Sequence, residues 1–392
     1  MAIDIARIRS ETPGCENVLH FNNAGAALTP KPVLDTVVAH LMREAEIGGY
    51  EAAAEAKDAL ADAYGSAARL VGGTADEIAF VENATRAWDM AFYGFDWQPG
   101  DRILTAQAEY ASNYIAFLQV ARRHGVDVAV VPDDGTGGIS PDALERMIDG
   151  RTKLIAITHI PTNGGLVNPA AAIGRVAKAH GIPFLLDACQ SVGQIPVDIA
   201  EIGCDMLSAT GRKYLRGPRG TGFLWVRREW IERLEPPFLD LHAARWTGPD
   251  SYEILPDARR FENWESFVAG RLGLAGAIDY ALALGLPAIR DAIYALATRL
   301  RDGLSALPGV SLHDKGAEKC GIVSFTLAGR SPDEVKQALA AQRINVTVSR
   351  VGSTLLDMSE RGLGEVVRAS VHYYNTDAEV DRFCAAIDAL RS

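Results

Sequence analysis

Residues 182–226 constrain this chain more than any other stretch, because two apolar runs within them each lead to a reactive side chain. Asp187 directly follows the apolar residues 182–186, as happens when a buried parallel strand carries a carboxylate to its C-terminal end. A second apolar run leads into Ser-Ala-Thr-Gly-Arg-Lys at residues 208–213. Ligands of parallel sheets bind at the carboxyl ends of the strands, so we expect Asp187 and Lys213 to share one site.

The rest of the chain predicts the sheet that these strands need. Strand patterns alternate with helix patterns of about ten residues, which is typical of a doubly wound, mostly parallel sheet. This alternation stops after residue 226, and 392 residues exceed what one core usually holds. We predict an α/β chain with an N-terminal segment (1–20) packed on the small domain, a large domain (21–255) and a smaller α+β C-terminal domain (256–392).

Asp187 and Lys213 are together the pair that pyridoxal phosphate (PLP) requires. A lysine amine forms a Schiff base with the cofactor aldehyde, and a carboxylate keeps the pyridinium nitrogen protonated. Taken singly, Asp187 could be a helix N-cap and Lys213 a solvated surface lysine. Their spacing, the hydroxyl of Thr210 and the neighbouring glycines favour the cofactor interpretation.

The family resemblance of this stretch lies in Asp187, Gln190 and residues 210–213. It resembles the class V aminotransferase family, the cysteine-desulfurase-like branch of the fold-type I PLP enzymes, and the resemblance covers nearly the whole chain. It implies a fold-type I homodimer that uses PLP and acts on an amino acid. Lys213, Asp187 and Tyr110 are the catalytic residues that it implies, with Tyr110 stacked on the pyridine ring. The cofactor-binding residues that it implies are Ala84, Thr85, Tyr110, Thr162, Asn163, Asp187, Gln190, Thr210, Arg212 and Lys213.

The turn at residues 83–86 is the predicted phosphate site. It leads into a predicted helix at 87–94, and the free N–H groups and positive dipole end of a helix N-terminus attract anions. By resemblance this turn binds the cofactor phosphate together with Thr210 and Arg212. A simple helix cap by Asn83 is the alternative.

An arginine in an apolar, strand-like run is the predicted reader of the substrate carboxylate. Arg368 lies within residues 366–371, and a guanidinium is the permanently charged, bidentate partner that an α-carboxylate needs. A surface ion pair is the alternative. The substrate-binding residues that the resemblance implies are Asn23, Gly25, Arg350 and Arg368.

The sequence of the loop before this strand indicates which reaction type is expected. The cysteine desulfurases that the chain resembles carry a nucleophilic cysteine there, whereas residues 350–355 read Arg-Val-Gly-Ser-Thr-Leu and place Leu355 at that position. Cys320 and Cys384 fall in strand and helix patterns and are expected to be apolar fillers. We therefore expect a cysteine-type C–S β-lyase without a catalytic cysteine. An aminotransferase, an epimerase and a catalytically inert PLP-fold binding module are the alternatives.

Composition excludes several other classes. The net charge is −11 and no run of Lys and Arg occurs, so a nucleic-acid partner is not expected. No apolar run reaches the length of a membrane span, and no signal peptide is recognised. Five scattered cysteines predict reduced thiols, a cytoplasmic location and no metal site. In resembling proteins the loop equivalent to residues 263–266 reaches the partner's phosphate; here Trp264-Glu265 replaces the usual Gly-Thr, leaving Asn263 or Ser266 as donors.

Overall fold

The computed structural model describes residues 3–391. Residues 1, 2 and 392, which belong to the predicted domains, lie outside the described residues. The strands are β1 (Leu19–His20), β2 (Ile78–Val81), β3 (Arg102–Ala106), β4 (Asp127–Val131), β5 (Thr152–Thr158), β6 (Phe184–Asp187), β7 (Met206–Thr210), β8 (Gly222–Val226), β9 (Ala244–Gly248), β10 (Ser251–Ile254), β11 (Val310–Leu312), β12 (Ile322–Leu327), β13 (Ile344–Asn345), β14 (Thr347–Arg350) and β15 (Glu365–Ser370).

The α-helices are α1 (Ile5–Ser10), α2 (Lys31–Ile47), α3 (Gly49–Glu55), α4 (Lys57–Val71), α5 (Ala84–Phe92), α6 (Ala111–His124), α7 (Pro141–Met147), α8 (Ala170–His180), α9 (Ile199–Ile202), α10 (Arg228–Ile231), α11 (Val268–Leu284), α12 (Leu286–Ser305), α13 (Pro332–Ala341), α14 (Leu355–Glu360) and α15 (Asp377–Asp388). Short 3-10 helices lie at Pro13–Glu16, Ala75–Glu77, Ala258–Phe261, Val351–Ser353 and Ala389–Arg391.

A seven-stranded sheet in the order β2-β8-β7-β6-β5-β3-β4 forms the centre of the large domain. Its strands are parallel except β8, which runs antiparallel to both β2 and β7. Every residue of β6, β7 and β8 is buried, as expected for a sheet covered by helices on both faces. Thr158, Asp187 and Ser208 are neighbours across β5, β6 and β7, so the last residues of β5 and β6 meet at one edge.

A four-stranded antiparallel sheet in the order β11-β12-β15-β14 forms the small domain, and α12 and α15 pack beside it. The N-terminal segment contacts this domain, since β1 pairs with β13 and Arg9 lies 2.9 Å from Glu379. Helix α11 packs on α2 and α4 of the large domain, and the contacts pass to the small sheet only after Gly285.

The helical residues before β2 form three helices, α2, α3 and α4, and Gly48 lies at the first break with a positive φ of 103°. Residues 244–254 form the β9–β10 hairpin. Most of the residues in this hairpin are exposed on both faces, so it shows no apolar alternation in sequence. Within the described residues, no single helix is long and apolar enough for a membrane span; α11 and α12 pass this test only as a pair bent by 81°.

Candidate active site

A cavity of about 280 Å³ lies at the carboxyl edge of the large sheet, and we call it the cofactor cavity. It lies where β5, β6 and β7 end, beside the N-terminus of α5. It brings together nearly all of the predicted cofactor residues, which come from distant parts of the chain. Those that line it are Ala84, Thr85, Tyr110, Thr162, Asp187, Gln190, Thr210, Arg212 and Lys213.

Asp187 is the last residue of β6 and is 5% exposed. Its two carboxylate oxygens are held separately: Cys189 N donates to Oδ1 over 2.9 Å and Asn113 Nδ2 donates to Oδ2 over 3.0 Å. Burial raises the pKa of Asp187, while the Cys189 amide and the positive charge of Lys213 act to lower it. A nearby cation such as a pyridinium would favour the charged form of this buried carboxylate.

Lys213 follows β7 and reaches the same cavity, with 9% of its surface exposed. The preceding turn is rigid, because Gly211 N donates to Thr221 O over 2.9 Å and a Cβ at position 211 would collide with the Thr221 hydroxyl. Burial lowers the pKa of the Lys213 amine, and the nearby charge of Arg212 acts in the same direction. A lowered pKa increases the neutral, nucleophilic fraction of the amine.

The opposite end of the cofactor cavity suits an anion. Helix α5 begins at Ala84 after the N-cap Asn83, whose side chain accepts from Arg86 N over 2.9 Å, and the other N–H groups of its first turn lack helical partners. Arg212 lines the same cavity, and its Nη1 is buried without a hydrogen-bond partner among the described residues. A phosphate beside Arg212 and the N-terminus of α5, with a ring nitrogen at Asp187, would satisfy both ends, so these residues fit PLP.

A second cavity of about 350 Å³, the outer cavity, adjoins the first and shares Tyr110, Thr162, Arg212 and Lys213 with it. Arg368 of β15 enters this cavity, and its Nη1 donates to Thr162 Oγ1 over 2.6 Å. Its Nε is buried without a partner, and within residues 3–391 no carboxylate forms an ion pair with it. Burial lowers the pKa of Arg368 to about 10. An unpaired, buried guanidinium is a suitable receptor for a carboxylate.

Three of the predicted site residues form side-chain contacts with other parts of the chain. Arg350 lines the rim of the outer cavity, but its guanidinium contacts Asp333 at 2.8 Å and also pairs with Glu365, so it faces two acids. Asn23 lies behind the loop whose Gly25 lines the outer cavity. Its Nδ2 donates to Ser370 O over 2.7 Å.

Asn163 is the third residue, and it lies in the outer cavity instead of the cofactor cavity. Its amide Nδ2 donates to Ser353 Oγ over 2.8 Å and to Thr354 Oγ1 over 2.9 Å. Thr162, the preceding residue, lines both cavities. The turn after β5 therefore divides its two polar side chains between the cofactor side and the small domain.

Sequence reasoning did not assign a buried network beneath the cofactor cavity. Glu109 accepts from Tyr110 N, Asn113 Nδ2 and Thr158 N, each over 2.9 Å. Because Asn113 also donates to Asp187, this network links Glu109, in the loop after β3, to the carboxylate at the end of β6. The sequence feature that could have indicated this network is its place after strands, since polar residues after β3 and β5 fall at the same edge of the sheet as Asp187.

The described cysteines do not line the outer cavity, and one of them lines the cofactor cavity. Leu355 is 57% exposed, and no cysteine is among the described residues that line the outer cavity. Cys189, which the sequence analysis did not consider as a site residue, lines the cofactor cavity, and burial raises its pKa. Cys320 is fully buried before β12, and Cys384 is half-buried in α15.

Known proteins resemble this chain over almost its full length. The family model for class V aminotransferases matches residues 19–383. A probable cysteine desulfurase of Aeropyrum pernix is 31% identical over 401 residues, covering 98% of this chain and 97% of that protein. A probable cysteine desulfurase of Methanothermobacter thermautotrophicus is 29% identical over 379 residues, covering 95% and 94%. The apo structure of cysteine desulfurase from Thermococcus onnurineus NA1 has a TM-score of 0.92 at 27% identity, covering 100% of this chain and 98% of that one.

These findings confirm the predicted family resemblance, the fold-type I architecture and the cofactor. They agree with the cavity, which is lined by a carboxylate and a lysine from two strand ends and by the first residues of α5. This chain therefore belongs to the class V aminotransferase family and is a PLP-dependent enzyme.

Proposed function

We propose that this enzyme is a C–S β-lyase that acts on an amino acid with sulfur at Cβ, and that none of its own cysteines accepts the sulfur. One observation carries this proposal. The outer cavity contains Lys213 and the unpaired Arg368, yet a leucine occupies position 355 and no described cysteine lines that cavity. The relatives named cysteine desulfurase support a sulfur-bearing amino acid as the substrate class.

The chain's own residues would hold PLP at both ends. Asp187 would face the pyridine nitrogen, Tyr110 would stack on the ring, and Arg212 with the N-terminus of α5 would bind the phosphate. Lys213 would carry the cofactor through its Nζ. When bound, PLP supplies an electron sink for the negative charge that develops at Cα.

The substrate would then be oriented by contacts that the chain already presents. Arg368 would bind the α-carboxylate through the guanidinium edge that carries the unpartnered Nε. Lys213 Nζ, once released from the cofactor by the substrate amine, would take the proton from Cα, and the bond from Cβ to sulfur would break. The sulfur would leave with a proton as a thiol or sulfide, and water would hydrolyse the remaining aminoacrylate to pyruvate and ammonia, so no acceptor on the protein is needed.

Further features support a cytoplasmic homodimer. Exposed large apolar side chains cluster in residues 34–50 and 238–267, and the second stretch includes Trp246 at 80% and Trp264 at 51% exposure. Trp264 and Ser266 line a cavity beside Glu82 and Gly220, close to the phosphate end of the cofactor cavity. Asn263 Nδ2 donates to Glu82 Oε1 of its own chain over 3.1 Å, which leaves Ser266 as the donor we assign to a partner's phosphate. Five free thiols fit a reducing compartment.

Product analysis with a panel of L-amino acids, each with and without a keto acid acceptor, tests the reaction type. We expect pyruvate and ammonia from substrates with sulfur at Cβ, whether or not an acceptor is present. Turnover that requires the acceptor would instead show an aminotransferase, and loss of optical activity without pyruvate would show an epimerase.

A further inference from the structure

Strand β14 presents two hydroxyl groups that the described chain leaves unsatisfied. Thr347 and Ser349 are two residues apart on this strand, so their side chains project from the same face of the small sheet. Thr347 lies directly opposite Arg368 on β15, which places the guanidinium on that face as well. All three residues line the outer cavity, and within residues 3–391 neither hydroxyl has a hydrogen-bond partner.

Asn163 contributes a third unsatisfied group from the other wall. Ser353 Oγ donates to Arg350 O over 2.8 Å, so this hydroxyl can only accept from Asn163. That fixes the orientation of the amide, with Nδ2 toward Ser353 and Oδ1 as a free acceptor. Asn163 is 4% exposed, and its Oδ1 is buried without a partner.

The wall that carries Ser353 is held firmly to the large domain. Lys315 Nζ lies 2.7 Å from Asp133 and 2.7 Å from Asp357 of α14. Gln107 Nε2 donates to Glu360 Oε2 over 2.6 Å. These contacts tie α14 to the loops that follow β3 and β4 of the large domain. The walls of the cavity are therefore held in place, and among the described residues a buried polar atom without a partner, here Asn163 Oδ1, is uncommon enough to indicate a ligand.

We propose that Asn163, Thr347 and Ser349 form a distal subsite that binds the far end of the substituent on the substrate's sulfur, and that this end carries a hydroxyl, amide or ammonium group. This inference rests on the proposed lyase function. Asn163 Oδ1 can only accept, whereas the two hydroxyls donate and accept, so a ligand group with donors satisfies all three. A terminal carboxylate would face the Asn163 oxygen and is disfavoured, as is an apolar end that leaves the three groups unpaired.

Two thioether substrates of equal size test the subsite in the PLP-loaded enzyme. S-(2-hydroxyethyl)-L-cysteine and S-propyl-L-cysteine differ only by a hydroxyl in place of a methyl group at the far end. We expect the hydroxyethyl compound to have a kcat/KM about three- to tenfold higher, the value of one neutral hydrogen bond. Ser349→Ala and Thr347→Val should each bring this ratio close to one. Ser305→Ala, which removes an exposed hydroxyl at the end of α12, should leave it unchanged.

A ratio of one in the wild type, or a ratio that both variants retain, would overturn the subsite. β-Chloro-L-alanine, which has no distal group, reports elimination alone. If it yields no pyruvate, the lyase function is wrong. The subsite is then tested by binding, with the dissociation constants of the two thioethers taken from changes in cofactor absorbance. Equal dissociation constants in the wild type, or a preference that both variants retain, would overturn the subsite.

Discussion

Asn113 donates through one nitrogen to two buried carboxylates, Asp187 Oδ2 at 3.0 Å and Glu109 Oε1 at 2.9 Å. The amide therefore fixes the carboxylate that is expected to meet the pyridine nitrogen. It also connects this carboxylate to Glu109, whose Oε1 accepts from the backbone N–H of Tyr110. The residues that we expect at the edge and on the face of the cofactor ring are thus held by one network.

Loss of this amide should slow catalysis less than loss of the carboxylate. We expect Asp187→Asn to lower kcat by about a hundredfold, since it removes a buried charge that stabilises the reacting state. Asn113→Ala keeps that charge but releases its position, and should lower kcat by about tenfold. Steady-state pyruvate formation measures both. An Asn113→Ala enzyme as active as wild type would show that the network does not position Asp187.

The buried carboxyl group of Glu109 should make the free energy of unfolding depend on pH. Burial raises its pKa from 4.5 to about 7, opposed by the hydrogen bonds from Thr158 and Asn113. Folding therefore favours the protonated form, so the stability linked to this group is full below pH 4.5 and is lost as the pH rises through about 7.

The corresponding variant is Glu109→Gln, which does not titrate. Between pH 5 and pH 8 we expect the wild-type apoprotein to lose about 1–3 kcal/mol of unfolding free energy that the variant does not lose. Urea unfolding at the two pH values measures this difference, with the exposed Glu232→Gln as control. Identical pH dependence in Glu109→Gln and wild type would contradict the prediction.

Two arginines that line the cofactor cavity should differ in their effect on PLP binding. Arg212 Nη1 is buried without a hydrogen-bond partner among residues 3–391, whereas Arg219 is exposed. We expect Arg212→Ala to raise the dissociation constant of PLP by about tenfold or more, because charge-assisted hydrogen bonds to phosphate are strong. Arg219→Ala should change it by less than about threefold. Equal effects would remove the phosphate role from Arg212.

Arg368 and Arg350 offer a similar contrast on the substrate side. Truncating a buried partner of a carboxylate costs about 2–5 kcal/mol, so Arg368→Ala should raise KM by well over tenfold and leave cofactor absorbance intact. Arg368→Lys should recover only part of the affinity. Arg350→Ala breaks exposed ion pairs and should change KM by less than about threefold. A large KM effect at position 350 would return Arg350 to the substrate site.

The positions of Asp187 and Lys213 could be predicted because each follows an apolar strand, and strand ends are local features of the sequence. The network around Glu109 could not, since its partners Asn113 and Thr158 become neighbours only through the order of β3, β5 and β6. Likewise, Arg350 turns outward because Asp333 and Glu365 come close in the folded chain. The free hydroxyls of β14 depend on its register with β15, which no local pattern specifies.

The fate of the sulfur atom distinguishes a lyase that releases sulfide from a desulfurase that transfers sulfur to its own cysteine. The PLP-loaded enzyme is incubated with L-cysteine while pyruvate, ammonia and sulfide are quantified and the mass of the intact protein is followed. For a lyase without an acceptor cysteine we expect equal amounts of the three products, an unchanged protein mass, and no products from Lys213→Ala. Formation of alanine, together with a protein that is one sulfur atom heavier at a cysteine, would contradict this expectation.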